Sequence, residues 1–216
     1  MLQTKKTDTC AIICRGSSVS RIQELDDVYD ICLLVNEWSS ELKKYKEVSD
    51  FLLNQTCNIH VINRDARSFL EKDQYETYKI DHCQLNVREP EYNSSQLRLW
   101  LEKNGIKTKF LSEELVPISK TGAGGFPSTG VLTVAHAAKV LKAKRIDVIG
   151  LDFFEADYFS HHSHTMKPEV RDYQVKKGVV MKEYTAQLLS LFPNTEFRFF
   201  TDSSFDPKLS NVKVLT

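Results

Sequence analysis

The sequence predicts an α/β fold, a mostly parallel sheet flanked by helices. Three observations carry that reading. Short apolar runs recur as TCAIIC at 9–14, DICLLV at 30–35 and NIHVI at 58–62. Runs of this length, rich in Ile, Val and Leu, fit strands buried on both faces. Segments with apolar residues at helical spacing lie between them, so strands and helices alternate. Third, the stretch from Gly122 to Phe154, GAGGFPSTGVLTVAHAAKVLKAKRIDVIGLDFF, reads as glycine loop, helix, buried strand and acidic strand end. That order is half of an α/β nucleotide-site unit.

The bulk numbers fit one Rossmann-like domain spanning 1–216. The chain has 216 residues and no linker-like stretch that would divide it. A chain of this size buries roughly 70% of its unfolded surface, so its core needs no staples. Lys plus Arg and Asp plus Glu both number 29, a balance that argues against a nucleic-acid partner held by a large basic surface. The five cysteines, Cys10, Cys14, Cys32, Cys57 and Cys83, are odd in number, include no CxxC pair and mostly sit in apolar runs. Buried free thiols are expected, and a cysteine zinc site is not. MLQTKKTDT has no apolar signal core, and no run of roughly 18 apolar residues offers a membrane span. The expectation is a cytoplasmic chain, or a catalytic domain cut from a longer one. The pattern leaves its oligomeric state open.

The elements follow in order. After the strand at 9–14, Arg15-Gly16-Ser17-Ser18 makes a small-residue turn into a short helix at 19–25, with Ser18 or Ser20 as its cap. Such a turn presents backbone N–H groups to a phosphate, or is a plain connection. The strand at 30–35 ends at Asn36 and the strand at 58–62 ends at Asn63. In open parallel sheets ligands sit outside the carboxyl ends of the strands, so both asparagines fall at the binding edge. Either could also be an ordinary turn residue. Helices are expected over 39–54 and 67–80. The segment 81–93 is ambiguous, with a helix over 94–103 and a short strand over 108–111. A loop follows from 112, rich in glycine at Gly122, Gly124 and Gly125. After the helix at 131–141 and the strand at 146–151, the segment 155–178 is a candidate lid carrying His161, His162 and His164. A helix over 181–192 and a strand over 195–200 precede a tail, whose VKVL fits a final short strand.

These residues resemble sialyltransferases and their relatives. The family's L-type motif, a strand followed by a small-residue turn, stands here as Cys14-Arg15-Gly16-Ser17-Ser18. Its S-type motif stands as Pro127-Ser128-Thr129-Gly130, an apolar helix, and Gly150-Leu151-Asp152-Phe153. The bacterial branch has asparagines after its second and third strands, similar to Asn36 and Asn63. The resemblance covers roughly 9–155 and the last helix and strand.

It implies a fold of the GT-A-variant type and transfer of sialic acid or another nonulosonic acid from a CMP-sugar to a hydroxyl of a glycan or glycolipid. The CMP-Kdo donor shares the CMP and the carboxylate. The implied reaction is inverting and needs no metal or other cofactor. The sequence agrees in lacking an Asp-x-Asp motif after a strand. The implied roles place Gly16, Ser17 and Ser18 near the phosphate or sugar, and Asn36 and Asn63 on the cytidine. Ser128, Thr129 and Gly130 would hold the donor carboxylate or phosphate, and Asp152 the ribose hydroxyls.

Two departures stand out. The first turn carries Arg15 where the family has asparagine. The family's base is a histidine in H-x4-E, and counting back from Glu183 reaches Gly178. Another H-x4-E occurs as His164 and Glu169, and His162 fits the spacing of a second family histidine. The acceptor hydroxyl must lose a proton as it attacks, and histidine titrates near working pH. His161, His162 and His164 are therefore the candidate bases. Tyr158, Arg15 or a lid histidine is a candidate donor to the leaving phosphate. Two other classes remain. A metal-dependent nucleotide pyrophosphokinase would need an acidic pair such as Asp152 and Asp65 at the strand ends. A non-catalytic nucleotide-sugar-binding relative would need no base.

Overall fold

The structure, a computed structural model, describes residues 7–62, 70–86, 96–119, 127–155 and 168–216. Among them eight strands form one sheet: β1 (Thr9–Ile13), β2 (Ile31–Val35), β3 (Asn58–Ile62), β4 (Ile80–Leu85), β5 (Thr108–Lys109), β6 (Arg145–Ile149), β7 (Glu196–Phe200) and β8 (Val212–Leu215). Their order is β5-β4-β3-β2-β1-β6-β7-β8, and each neighbouring pair is parallel.

The seven described α-helices are α1 (Glu41–Lys44), α2 (Lys46–Asn54), α3 (Lys72–Thr77), α4 (Gln96–Lys103), α5 (Val116–Ser119), α6 (Thr129–Lys139) and α7 (Pro168–Ser190). Strand alternation divides the core into two layers. Ile12, Leu33, Val35, Val61, Val148 and Phe199 face one side, where Val131, Val134 and Ala135 of α6 and Leu188 and Leu189 of α7 cover them. Ala11, Ile13, Cys32, Leu34 and Ile149 face the other, under Leu42, Val48 and Leu52 of α1 and α2, Tyr75 of α3 and Leu101 of α4. A sheet covered on both faces needs apolar residues at every position of its central strands, which is why those strands read as unbroken apolar runs.

Several elements depart from the sequence reading, each for a local reason. The helix expected over 39–54 is broken at Tyr45, whose extended backbone separates α1 from α2. The short helix after β1 is a 3-10 helix over Ser17–Glu24. Within the helix expected over 67–80, α3 covers only Lys72–Thr77 among the described residues. β4 begins at Ile80, the last residue of that expected helix, and runs into the ambiguous region. Its buried polar residues disguise it, because Gln84 is satisfied by the Phe110 carbonyl at 2.9 Å and His82 by Asp81 at 2.8 Å. Part of the expected loop after 112 is a 3-10 turn (Glu113–Leu115) followed by α5, which bury Leu115 and Ile118. α7 is far longer than 181–192, starting at Pro168 in the favoured first helical position. The candidate lid 155–178 therefore divides: Glu155 closes a turn, 168–178 opens α7, and 156–167 lies outside the described residues. The cysteines are free, four buried and Cys57 half-buried.

Candidate functional site

The chain leaves β1 for β2 and works outward to β5, then returns through α6 to β6 on the other side of β1. The strand order reverses there, and in such sheets the crevice outside the carboxyl ends of the two diverging strands is the binding position. Both family-like motifs meet at it. The turn Cys14–Ser18 leaves β1, and Gly150-Leu151-Asp152 leaves β6. They are bonded directly: the Cys14 N–H donates to the Ile149 carbonyl at 2.8 Å and the Gly16 N–H to the Gly150 carbonyl at 2.7 Å. A side chain at Gly16 would collide with the Asp152 carboxylate. Gly150, at φ +75°, lies against the Cys14 carbonyl. Both glycines are required by close approach, and Gly150 also by its left-handed backbone.

Asp152 sits beneath this junction, 3% exposed. Its Oδ1 accepts from the Ser18 hydroxyl at 2.6 Å, the Thr201 hydroxyl at 2.9 Å and the Asp202 N–H at 3.1 Å. Its Oδ2 accepts from the Ser18 N–H at 3.0 Å. The Ser18 hydroxyl in turn accepts from the Gly150 N–H at 3.0 Å. Asp152 therefore ties together the ends of β1, β6 and β7. Three of the four bonds fall on Oδ1 and one on Oδ2, which gives Asp152 a structural duty beside the ribose role expected of it. Ser18 is likewise internal, and Ser17 donates to Asp202 at 2.9 Å. The sequence reading missed Thr201 and Asp202. The polar run Thr201-Asp202-Ser203-Ser204 directly after a strand was the available signal.

The start of α6 rests on the same junction. Ser128 is its cap, the hydroxyl oxygen accepting from the Val131 N–H at 3.3 Å. A side chain on Gly130 would come 3.0 Å from both Cys14 Sγ and Leu151 Cδ1, so the first turn of the helix packs closely on the two strand ends. The partial positive charge of that helix end and its N–H groups face the binding edge.

On the other side of the crevice lies Arg15, with Glu37 at 3.4 Å and Glu41 at 3.6 Å. Asn36, just past β2, has φ +68°. Its N–H donates to the Val61 carbonyl at 2.7 Å, and its own carbonyl is 2.6 Å from Nε2 of His60. His60 Nδ1 is 2.8 Å from the Tyr75 hydroxyl. A carbonyl only accepts, so Nε2 carries the proton and Nδ1 accepts from Tyr75. Burial pushes the His60 pKa down to about 4, which leaves the ring neutral. Among the described residues, the Asn36 Oδ1 is buried without a hydrogen-bond partner, and so are both amide atoms of Asn86. Asn86 follows β4 as Asn36 follows β2, a third strand-end asparagine hidden by the ambiguous reading of 81–93.

The wall beyond Asp152 is unusual in its backbone. Phe153 and Phe154 have φ of +50° and +63°. Left-handed non-glycine residues cost about 1–3 kcal/mol each and gather at sites whose surroundings hold them. Phe153 is held by its ring, 4.7 Å from that of Phe205, and by α7. Its carbonyl points at Gly178 so closely that any side chain there would overlap it. Gly178 thus has no room for the histidine that the family spacing would place at it. Glu155, next along, pairs with Lys182 and accepts from the Ser204 N–H at 2.6 Å. Burial raises its pKa, but Lys182 and Ser204 outweigh that and hold it below the usual value. Asn63, Asp65, Tyr158, His161, His162 and His164 lie outside the described residues. Among the described residues, no three or more His, Cys, Asp or Glu side chains are grouped to hold a metal ion, and no helix is long and apolar enough to cross a membrane.

The chain matches no protein-family model and no curated protein. Solved structures do match. The monofunctional alpha-2,3-sialyltransferase Cst-I from Campylobacter jejuni aligns over 97% of this chain and 82% of its own, with TM-score 0.59 and 17% identity. The sialyltransferase Cst-II in complex with a trisaccharide acceptor and CMP aligns over 94% and 85%, with TM-score 0.57 and 14% identity. A tyrosine-to-phenylalanine variant of Cst-II in complex with CMP aligns over 89% and 81%, with TM-score 0.51 and 13% identity. At these identities the likeness is one of fold, and this chain has the α/β fold of those sialyltransferases across nearly its whole length.

Proposed function

We propose that this protein is a glycosyltransferase that moves sialic acid or a related nonulosonic acid, 3-deoxy-octulosonate included, from a CMP-sugar to a hydroxyl of a glycan or glycolipid. One observation carries the reading: the Cys14–Ser18 turn, the start of α6 and the Asp152 strand end converge on the β1/β6 switch point. The CMP-bound sialyltransferases of like fold supply the donor class.

The residues divide the work by chemistry. The Gly16 turn lets backbone approach the phosphate. The N–H groups of Thr129 and Gly130, with the Ser128 and Thr129 hydroxyls, receive the donor's carboxylate or phosphate at a positive helix end. Arg15 adds a guanidinium nearby, and Asn36 and Asn63 serve the cytidine. Ser17, Ser18 and Asp152 hold the crevice in shape.

The acceptor oxygen attacks the anomeric carbon from the face opposite the phosphate. The new C–O bond forms as the bond to the phosphate oxygen breaks, giving inversion and free CMP. The acceptor proton passes to a base, for which His162, His164 and His161 are the candidates, while Tyr158 is a donor to the departing CMP. The charge is met by fixed N–H groups and Arg15, and no metal is required.

The test is ligand-dependent melting with CMP, CDP, UDP and ADP, followed by CMP release from CMP-sialic acid in the presence of EDTA. CMP should stabilise the protein and release should survive EDTA. Stabilisation by UDP or ADP alone would overturn the donor class, and activity lost to EDTA would favour a metal enzyme. The S128A/T129A variant should stay folded and lose donor turnover. Of H161A, H162A and H164A, one should lose most of the transfer, and three active variants would remove the base from this segment.

A further inference from the structure

We propose that His60 is a positioning residue, whose Nε2–H bond to the Asn36 carbonyl holds Asn36 in the left-handed conformation that presents its amide to the donor nucleotide. The inference rests on the nucleotide-sugar reading of the site.

β3 carries an anomaly. It is a central strand whose five residues are all buried, a setting for Val, Ile or Leu. His60 stands in the middle of it with no exposure. A buried imidazole is costly unless its nitrogens find partners. Here the two partners are the Asn36 carbonyl at 2.6 Å and the Tyr75 hydroxyl at 2.8 Å. The Tyr75 ring also meets the imidazole edge-on, with centroids 5.7 Å apart. Tyr75 comes from α3, so the ring is fixed from outside the strand.

The other end of the relay is equally specific. Asn36 has its N–H tied to the Val61 carbonyl and its carbonyl tied to His60, both on β3. With φ at +68° the backbone is pinned on both sides. The side-chain amide is what remains, and its Oδ1 is buried without a partner among the described residues. A buried acceptor left unfilled works against folding, and such groups persist where a ligand or ordered water completes them. His60 touches no ligand in this arrangement. It acts by removing the conformational freedom that Asn36 would otherwise lose on binding.

The experiment measures the CMP dissociation constant by calorimetry for the full chain and its variants, with melting temperature recorded for each. H60L removes the bond and should weaken CMP binding about tenfold, as expected for loss of one buried hydrogen bond. H60Q, whose amide nitrogen reaches the Nε2 position, should restore most of the affinity. H60N, which reaches only the Nδ1 position, should not. In an N36G background, H60L should cost no further affinity, because the residue through which His60 acts has lost its amide.

Equal CMP affinity in H60L and the parent, or the same loss with and without the Asn36 amide, overturns the inference. If H60L fails to fold, H60Q against H60N makes the same comparison, and equal affinity of that pair overturns it. Failure of the parent to bind CMP would instead overturn the nucleotide reading.

Discussion

Asp152 and Gly178 show how a residue's neighbours decide its role. Asp152 looks like a ligand residue because an acidic side chain ends a buried strand at a binding edge. Four hydrogen bonds from Ser18, Thr201 and Asp202 make it a structural clamp as well. The acidic strand end was legible in the sequence. Its partners were not, since they come from residues 134 and about 50 positions away. Buried histidines carry a prediction at the same scale. Burial brings the pKa of both His60 and His136 down from 6.5 to about 4, and burial lowers that of His82 despite Asp81. Below about pH 6.5 the unfolded chain binds protons that the folded chain refuses, so folding stability must fall as the pH drops. For His60 and His136 the loss runs from about 6.5 down to about 4, at up to roughly 1.4 kcal/mol per pH unit each, and His82 adds to it in the same direction. Urea denaturation at pH 7 and pH 5 checks this. H136Q should flatten the slope, because the His136 ring is 6% exposed with its Nδ1 unbonded among the described residues. Equal stability at the two pH values would contradict it.

Among the elements, α7 departs most from the sequence reading, and the cause is specific. The stretch PEVRDYQVKKGVV carries little helical periodicity and a glycine, so only the apolar end after Met181 is legible. Gly178 is kept because the Phe153 carbonyl occupies the place of its side chain. This gives a prediction with an unambiguous sign. Without that contact, glycine to alanine in a helix gains about 1 kcal/mol. With it, G178A must push backbone against backbone and should lose about 1–3 kcal/mol. Urea denaturation reads the sign, and a stabilised G178A would show that α7 and the Phe153 turn do not pack this way. The same contact leaves no room at this position for the histidine that the resemblance would place there. β4 teaches a related lesson, since Ile80-Asp81-His82-Cys83-Gln84-Leu85 is a buried strand with polar residues whose partners are elsewhere. A pattern method sees their polarity and not the bonds that satisfy it.

At the scale of the molecule, the strand order places the site. The crevice exists because the chain builds outward from β1 to β5 and then returns to lay β6 against β1. A ligand seated there touches ends of strands from both halves, so binding should stabilise the whole fold. At a CMP concentration one hundred times its dissociation constant the gain is about 2.7 kcal/mol. For a chain of this size each kcal/mol is worth about 2–4 °C, so the melting temperature should rise by roughly 5–11 °C. S128A/T129A, which also loses the Ser128 cap worth about 1 kcal/mol, should start a few degrees lower and lose most of that rise, and a full shift in the variant would move the donor off α6. The sequence by itself determined the α/β class, all of the eight described strands except β4 to within a residue or two at each end, and the turn, helix start and strand end that form the binding edge. These are properties of short windows, where apolar period and glycine position report local burial and local backbone. Only the tertiary structure decided that Gly16 meets Asp152, that His60 holds Asn36 and that Phe153 excludes a side chain at 178. Each is a contact between residues distant in the chain, and which distant residues meet is set by topology rather than by any window of sequence.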